Sequence, residues 1–337
     1  MSALPATTRE VRLARRPAGL PRSSDFDVAE VPLSLPTAEQ ALVRTTYFRV
    51  TASLRMMIGE GAESVEGVPF PVLRPGDPVA GGALGEVVIA PEGSGLKPGD
   101  LVAHGAGWRE YALVPAAELS PLDPATDPAV HLGHGWTAYA ALTRAAGIRP
   151  GDTVHVTGAT GAIGSVAALA ARRLGAARVV GGTGSAAKTE ALISGCGYDA
   201  VVTVGSGSLT DKLAAAAPGG LDVVLDTVGG DRLAAAVRAA RTGARIVVIG
   251  ALSGQLAPNG PGRSAPVSLD SFRLLLKKVT LRGYSADDHP EAEQEWRDLL
   301  DGATVPHHVV AGIEHAPQAL VDTIAGRYLG PVLVKPF

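Results

Sequence analysis

Three glycines in the middle of the chain have a spacing that suits phosphate binding. They follow an apolar segment at residues 152–157 and directly precede an alanine-rich segment. A strand that leads into a glycine-rich turn and then a helix lets the backbone approach a pyrophosphate, whose charge the helix N-terminus stabilises. A glycine-rich turn that binds nothing is the alternative, but the flanking strand and helix patterns favour a dinucleotide site. We expect the whole turn to contact the cofactor: Gly158, Gly161, Ala162, Ile163 and Gly164.

The second strand of this unit has no acidic residue where NAD(H) would need one. Sites for NAD(H) place an Asp or Glu about 20 residues beyond the glycines, where it binds the ribose 2′-hydroxyl. No Asp or Glu lies between Ser165 and Thr189, and the loop there offers Thr183, Ser185 and Lys188 instead. Hydroxyl donors and a cation suit a 2′-phosphate. The loop therefore predicts NADP(H), although Lys188 alone would also fit a solvated residue in the first turn of a helix.

Bulk composition limits the partners that the chain can have. Its 337 residues carry a formal net charge of −3, with acidic and basic residues mixed along the sequence. There is no basic field for nucleic acid or an anionic membrane, no apolar run of membrane-spanning length, and no apolar signal-peptide core. We therefore expect a cytoplasmic protein with a small-molecule substrate and without a nucleic-acid or membrane partner.

The cysteine and histidine content offers little metal chemistry. Cys196 is the only cysteine, so an internal disulfide is excluded. A catalytic zinc site needs three His, Cys or carboxylate ligands around an open position. His131 and His134 stand close together, as do His307 and His308, but no third ligand accompanies either pair. The sequence therefore predicts an enzyme that needs no metal.

The pattern of the chain changes near residue 127. Before it, short strands separated by Gly and Pro favour a barrel-like β domain, with strands expected at residues 10–13, 40–44, 85–89, 100–103 and 111–114. After it, apolar segments alternate with alanine-rich ones, and strands are expected at residues 152–157, 178–183, 200–204, 222–227, 244–250 and 279–284. Strands that alternate with helices in this way predict a doubly wound parallel sheet and an α/β fold.

The C-terminal part of the chain is long enough to return to the first domain. Its expected elements are an acidic amphipathic helix at residues 291–300, a strand at 309–313, a helix from Pro317 and a strand at 331–334. We therefore predict a substrate domain at residues 1–126, a dinucleotide domain at 127–286, and a return to the substrate domain at 287–337. A loop rich in Pro and Gly, at residues 256–266, resembles a mobile active-site flap.

Several motifs occur in an order that resembles a known superfamily. They are Gly81-Gly82-Ala83-Leu84-Gly85-Glu86, Lys97-Pro98-Gly99-Asp100, Gly107-Trp108-Arg109-Glu110-Tyr111, Gly135-Trp136-Thr137-Ala138-Tyr139, Asp226-Thr227-Val228-Gly229-Gly230 and Gly250-Ala251-Leu252-Ser253. Together they resemble the medium-chain dehydrogenase/reductase superfamily. The resemblance is strongest to its zinc-independent branch, which contains the quinone oxidoreductases and the prostaglandin reductase/leukotriene B4 dehydrogenase group.

The resemblance implies an architecture and a set of cofactor contacts. It implies a GroES-like β domain beside a Rossmann domain, with the cofactor in the cleft between them and a homodimer formed through the sheet edge near Val279. Further cofactor contacts are expected from the bridging helix and from the ends of the later strands: Thr137, Thr227, Gly250, Ala251, Leu252 and Tyr284.

The chain departs from the resembled group in the substrate pocket. Gln255 stands where the group usually has a tyrosine near the nicotinamide ribose, and Ser53 replaces a second pocket tyrosine. Val204 replaces a third, expected near the phosphate of the adenine ribose, and residues 328–331 replace a usual Asn-x-Gly-Lys. The scaffold is therefore retained while the substrate pocket is changed.

The remaining polar residues suit hydride transfer to a conjugated acceptor. No tyrosine has a lysine four residues on, so the pair used by short-chain reductases is absent. Candidate donors for a developing oxyanion are Tyr47, Gln255, Ser53 and His134, together with the cofactor's own ribose hydroxyl. The resemblance implies that Trp136 faces the cleft as an apolar wall. Tyr47 would also fit a core position, His134 a helix-flanking position and Gln255 a loop that points to solvent.

These observations predict an NADPH-dependent, metal-free reductase of an enone or quinone. Conjugate reduction sends the charge into an enolate or hydroquinone anion, for which a hydrogen-bond donor and a solvent proton suffice. A carbonyl reductase is an alternative. Another is a protein that retains the cofactor without hydride transfer, as a biosynthetic enzyme or a binding module, because two pocket tyrosines are replaced.

Overall fold

A computed structural model describes residues 4–64, 71–257, 264–300 and 302–337. Its strands are β1 (Thr7–Leu13), β2 (Phe26–Pro32), β3 (Gln40–Val50), β4 (Ala83–Ile89), β5 (Leu101–His104), β6 (Tyr111–Pro115), β7 (Thr153–Val156), β8 (Arg178–Thr183), β9 (Ala200–Thr203), β10 (Leu221–Asp226), β11 (Ala240–Val248), β12 (Thr280–Gly283), β13 (His308–Ala311) and β14 (Val332–Lys335). Its α-helices are α1 (Arg55–Ile58), α2 (Pro128–Leu132), α3 (Gly135–Ala140), α4 (Gly164–Arg173), α5 (Thr189–Cys196), α6 (Leu209–Ala216), α7 (Gly230–Ala239), α8 (Leu252–Gln255), α9 (Ser271–Lys277), α10 (Ala292–Leu300) and α11 (Ala316–Ile324). Residues 258–263 of the expected flap lie outside the described residues.

Six strands form a parallel sheet in the order β12-β11-β10-β7-β8-β9. In β10, Leu221, Val223, Val224 and Leu225 are all buried, as expected for a parallel strand that helices cover on both faces. This order is that of a doubly wound sheet, so the predicted fold class and its six strands are confirmed. Its topological switch point lies between β7 and β10, where such sheets bind ligands at the carboxyl ends of the strands.

A second sheet combines strands from both ends of the chain. Its order is β13-β14-β3-β4-β5. β6 pairs with residues 40–44 of β3, and β14 pairs with residues 48–50 of the same strand. β14 runs antiparallel to β3, so the C-terminal segment joins the N-terminal sheet. β2, which pairs with β1, was not expected, because its Asp27, Glu30 and Pro32 are uncommon in strands. The predicted domain boundaries remain a proposal.

One hydrophobic core joins the two sheets. It includes Leu84 and Leu333 from the antiparallel sheet and Val154 and Val223 from the parallel one. Trp296 of α10 belongs to the same cluster and packs so closely on α3 that a Cβ at Gly135 would lie 2.7 Å from its Nε1. This contact holds the start of α3 between the two sheets, where several of the predicted site residues lie.

Candidate active site

The glycine turn after β7 has the backbone geometry that requires glycine. Gly158 has a φ of +62°, and a Cβ there would lie 2.5 Å from the Thr227 hydroxyl oxygen. A Cβ at Gly164 would overlap the Gly158 carbonyl oxygen and lie 2.6 Å from the Ala159 Cα. Gly158 therefore permits the turn, and Gly164 lets α4 begin directly against it.

The turn also presents unpaired donors at the N-terminus of α4. Within the described residues, the backbone N–H groups of Ala162, Ile163 and Gly164 have no hydrogen-bond acceptor. The first N–H groups of a helix lack intrahelical partners, and together with the helix dipole they favour an anion. The arrangement fits a pyrophosphate, the group that the sequence predicts at this turn.

A buried hydrogen-bond network fixes the ends of β7 and β10. Asp226 is fully buried; it accepts hydrogen bonds from the Thr157 hydroxyl at 2.6 Å and from the Gly229 N–H at 2.9 Å. Thr227 donates through its N–H to the Thr157 hydroxyl and through its own hydroxyl to the Thr157 carbonyl, both at 2.9 Å. Burial raises the pKa of Asp226, which these hydrogen bonds oppose. The network holds Thr227 beside the glycine turn.

Asp226 was not expected as a site residue from the sequence. The available signal was an acidic residue that ends an otherwise apolar strand. Such a residue is expected to bind backbone donors at the carboxyl edge of the sheet, because a buried carboxylate needs hydrogen bonds.

The loop after β8 holds the residues predicted to bind a 2′-phosphate. Thr183 is buried, and its hydroxyl accepts a hydrogen bond from the Ser185 N–H at 3.1 Å. Lys188 is half-buried, and its ammonium donates to the Gly326 carbonyl at 2.6 Å and to the Tyr328 carbonyl. Lys188 therefore joins this loop to the C-terminal segment, and burial lowers its pKa. It is not the solvated helix residue that was the alternative.

A second cation near this loop was not expected from the sequence. A Cβ at Gly184 would lie 3.8 Å from a terminal nitrogen of Arg232, which is on α7. Arg232 also lines a cavity of about 330 Å³ with Thr203, Val204 and Arg238. The cavity adjoins the carboxyl end of β9, at the edge of the sheet where doubly wound folds bind ligands.

The segment after β11 approaches the same strand ends. The Leu252 N–H donates to the Thr227 carbonyl at 3.2 Å, and a Cβ at Gly250 would lie 2.8 Å from that oxygen. The first turn of α8 is therefore held against the network around Thr227, with Ala251 as its N-cap residue. Gln255 ends α8 and is half-buried; its amide nitrogen donates to the Met56 sulfur at 3.3 Å, so its side chain does not point to solvent.

The other predicted donors lie on β3, just after β3, and at the start of α3. Tyr47 is half-buried and packs against the shared core. Ser53 lies in a 3-10 turn after β3 and shares a 2.9 Å hydrogen bond with the Thr51 hydroxyl. Burial, with a contribution from the Arg49 guanidinium, lowers the pKa of His134 to about 3. His134 is therefore neutral at pH 7, and its ring then has one N–H donor and one acceptor nitrogen.

Tyr284 and Trp136 lie on one side of α3. With Tyr139 they pack around the buried alanines Ala140 and Ala286. The Tyr284 hydroxyl is buried and has no hydrogen-bond partner among the described residues, and burial raises its pKa. Thr137 lies one residue beyond Trp136 on the same short helix. This side of α3 therefore offers an apolar wall with one unsatisfied phenol.

Comparisons with known proteins agree with this geometry. Residues 9–122 match the model of the N-terminal domain of oxidoreductase, and residues 162–303 match that of zinc-binding dehydrogenase. Prostaglandin reductase 1 of Bos taurus is 30% identical, with 94% of this chain and 95% of that protein covered. The chain belongs to the medium-chain dehydrogenase/reductase superfamily. Its predicted resemblance to the branch with quinone oxidoreductases and prostaglandin reductases is confirmed.

Two further members of the superfamily extend the comparison. The NADPH-dependent curcumin reductase of Escherichia coli is 29% identical, with 96% of this chain and 95% of that protein covered. The crystal structure of CurA from Vibrio vulnificus in complex with NADPH has a TM-score of 0.85 and 25% identity, covering 98% of this chain and 99% of that one. The likeness therefore spans both sheets of this chain and the C-terminal segment that returns to the first of them.

The described residues show neither a metal site nor a membrane span. No group of three or more His, Cys, Asp or Glu side chains is arranged there to hold a metal ion. No helix among those residues has the length and apolarity to cross a membrane. The metal-free mechanism stays a prediction.

Proposed function

We propose that the chain is an NADPH-dependent, metal-free reductase that transfers hydride to the activated C=C bond of an enone or to a quinone. The observation that carries the proposal is the pairing of an anion-binding helix terminus with neutral hydrogen-bond donors. The free N–H groups at Ala162, Ile163 and Gly164 suit the pyrophosphate, and His134 and Gln255 are uncharged donors. The similarity to curcumin reductase and prostaglandin reductase, both named as reductases, supports it.

Two groups of residues would bind the two ends of NADP(H), the 2′-phosphate end and the nicotinamide end. Lys188 and Ser185 bind the 2′-phosphate, with Arg232 as a further cation at the same loop. Thr227, Gly250 and the start of α8 would hold the nicotinamide end, because the Asp226 network fixes them at the switch point. The bound cofactor supplies a hydride.

On the substrate side, the reaction requires residues that orient the substrate and a hydrogen-bond donor to the developing oxyanion. When a hydride adds to the β-carbon of an enone, the C=C electron pair moves toward the carbonyl, and negative charge develops on its oxygen. The Gln255 amide and the Tyr47 hydroxyl donate hydrogen bonds to that oxygen. His134 contributes the N–H of a neutral ring. Because its pKa is lowered, the ring does not carry at pH 7 the second proton that a general acid would donate. The enolate then takes its proton at the α-carbon from water.

The proposal is tested by the product and by the site of the transferred hydrogen. We expect NADPH to be oxidised in the presence of an enone or a quinone, with loss of its nicotinamide absorbance. Deuterium from deuterated NADPH should appear at the β-carbon of a saturated ketone. An allylic alcohol with deuterium at the carbonyl carbon would instead identify a carbonyl reductase. NADPH binding without oxidation by enones, quinones or aldehydes would identify a protein without hydride transfer.

We also propose a homodimer through the edge of the parallel sheet. β12 is the edge strand and is exposed along its whole length. Beside it, α9 presents Phe272, Leu275 and Leu276, which are 66%, 70% and 63% exposed. An unprotected strand edge with a neighbouring apolar patch suits pairing with a second copy.

Light scattering after size-exclusion chromatography tests the dimer. We expect the Leu275→Glu/Leu276→Glu variant to shift a dimer to a monomer. Leu35→Glu is the control, because Leu35 is 73% exposed and lies in the other domain. A wild-type monomer at micromolar concentration would reject the proposal.

A further inference from the structure

A cavity on the substrate side holds polar groups that the proposed hydride transfer does not use. Its volume is about 440 Å³, and it lies among the strands β3, β4 and β5 and the helix α2. Arg49 of β3, Gly82 before β4, His104 at the end of β5 and His131 of α2 all line it. These four residues come from separate parts of the chain, so only the folded protein brings them together.

Arg49 is a cation without a partner. Its guanidinium makes no hydrogen bond or ion pair within the described residues, and it packs over Gly82, where a Cβ would lie 3.0 Å from its Nε. Burial lowers the pKa of Arg49, and the carboxylates of Asp287 and Glu293 oppose this effect. Because an arginine stays protonated in proteins, its partly desolvated charge is unfavourable until an anion approaches.

Two histidines in the cavity also lack partners. His104 is only 8% exposed, and neither of its ring nitrogens has a hydrogen-bond partner among the described residues. The same holds for Nε2 of His131. Burial, with a contribution from Arg109, lowers the pKa of His104 to about 4, so its ring is neutral at pH 7 and keeps one N–H donor. Buried polar groups are normally hydrogen-bonded, so this pair of rings indicates a missing ligand.

The charges that line the cavity indicate which kind of ligand it binds. Arg49 is the only residue of the cavity's described lining that is charged at neutral pH, and no carboxylate lines it. A planar guanidinium matches the two oxygens of a carboxylate in a bidentate pair. One positive charge with neutral imidazole donors therefore suits a carboxylate, a monoanion, better than a dianionic phosphate.

The cavity adjoins the residues proposed for hydride transfer. Side chains two positions apart on a strand share a face, so Arg49 and Tyr47 lie on the same face of β3. Arg49 is also close enough to His134 for its charge to act on that ring. We propose that Arg49, His104 and His131 bind a carboxylate group of the substrate, so that the enone reduced by this chain is an acid. This inference rests on the proposed reductase function.

Kinetics with matched substrates test the subsite. We would compare enones that carry a terminal carboxylate, one to four methylenes from the conjugated system, with their methyl esters. A charge-assisted bidentate pair predicts that kcat/KM for the acid of at least one length exceeds that for its ester by about 10–100-fold. The Arg49→Met variant should bring this acid-to-ester ratio close to one, mainly through KM, and Arg49→Lys should give an intermediate ratio.

A control variant and a folding check accompany these measurements. Arg44→Met removes another arginine of β3, one that is exposed and paired with Glu86, and should keep the wild-type ratio. Thermal unfolding and NADPH titration show whether Arg49→Met folds and binds cofactor normally. If no acid is preferred over its ester, or if Arg49→Met lowers kcat/KM for both equally, the proposal is overturned. Equal lowering would assign Arg49 to the oxyanion instead.

A binding measurement separates this proposal from the reductase function. Calorimetry with the saturated acids that the acidic enones would yield, and with their esters, needs no turnover. We expect the acid of the preferred length to bind in the presence of NADP⁺, its ester to bind about 10–100-fold more weakly, and Arg49→Met to remove the difference. Such binding without any enone reduction would reject the reductase and keep the subsite. Ester reduction without acid binding would reject the subsite and keep the reductase.

Discussion

The cofactor side and the substrate side of this protein obtain their polar groups in different ways. On the cofactor side the donors are mainly backbone N–H groups, which the turn between β7 and α4 presents at Ala162, Ile163 and Gly164. On the substrate side they are side chains from distant segments, such as Gln255, whose amide contacts Met56 across a separation of 199 residues. The first side therefore depends on local backbone geometry, and the second depends on tertiary packing.

This difference fits two of the departures from the resembled group. A backbone site tolerates few substitutions, because a Cβ at Gly158 or Gly164 would meet neighbouring atoms at 2.6 Å or less. A side-chain site can change its chemistry one residue at a time without disturbing the strands that carry it. Gln255 and Ser53, which stand where tyrosines are usual in the group, belong to that second kind of site.

The largest effect is expected from Gly164→Ala on the cofactor side. The added Cβ overlaps backbone atoms that cannot move aside, so we expect NADPH affinity to fall more than about 100-fold and stability to fall by about 1–3 kcal/mol. NADPH titration and thermal unfolding measure both. The matched control is Gly195→Ala in α5, where nothing lies within 4 Å and alanine favours the helix by about 1 kcal/mol. Unchanged NADPH binding by Gly164→Ala would contradict the proposed role of the turn.

The next effect is expected from Gln255→Ala on the substrate side. If its amide donates to the developing oxyanion, kcat should fall about 10–1000-fold while NADPH binding persists. Gln255→Tyr should raise activity toward simple enones, since the resembled group uses a tyrosine there. Met56→Leu is the control, because it removes only the present acceptor of the amide at similar volume. If both Gln255 variants turn over at the wild-type rate, another residue must donate the hydrogen bond to the oxyanion.

A smaller effect is expected from Lys188→Ala, which tests a side chain on the cofactor side. Loss of a charge-assisted bond to the 2′-phosphate should weaken NADPH binding about 10–100-fold and leave NADH binding unchanged. Lys97→Ala, an exposed lysine of the other domain, serves as the control. Equal weakening of NADPH and NADH would show that Lys188 acts through its bonds to the Gly326 and Tyr328 carbonyls instead.

The smallest effect is a pH dependence of stability, to which buried histidines on both sides contribute. Burial lowers the pKa of His155 in the parallel sheet and of His104 beside the cavity to about 4. Between pH 6.5 and about 4 the unfolded chain binds protons that the folded chain does not, so stability is lost as pH falls through this window. Each histidine should cost about 1–2 kcal/mol at pH 5.

Unfolding measured from pH 7.5 to pH 4 checks this dependence. His104→Asn should make the free energy of unfolding depend less steeply on pH. The contribution of His155 should remain, because its Nδ1 lies 2.9 Å from the Val180 carbonyl oxygen and is not affected by the substitution. A slope that His104→Asn leaves unchanged would show that His104 is protonated alike in both states.

Much of the cofactor side could be predicted because its signals are local. The six parallel strands appear as apolar segments, and the turn and its helix follow within a few residues of each other. Arg232, beside the loop of Lys188, escaped prediction because α7 brings it there from a later part of the chain. β2 was not predicted, because its charged residues and its proline do not alternate with apolar residues as a strand usually does.

The sequence by itself determined the doubly wound sheet, the glycine turn and the missing acid after β8. Each of these follows from neighbouring residues, through the period of a strand or the φ that only glycine adopts freely. The tertiary structure alone decided that Arg49 faces a cavity with two unpartnered histidines and that Gln255 contacts Met56. Burial and proximity of residues far apart in sequence depend on how the two sheets share one core, and no local pattern encodes that contact.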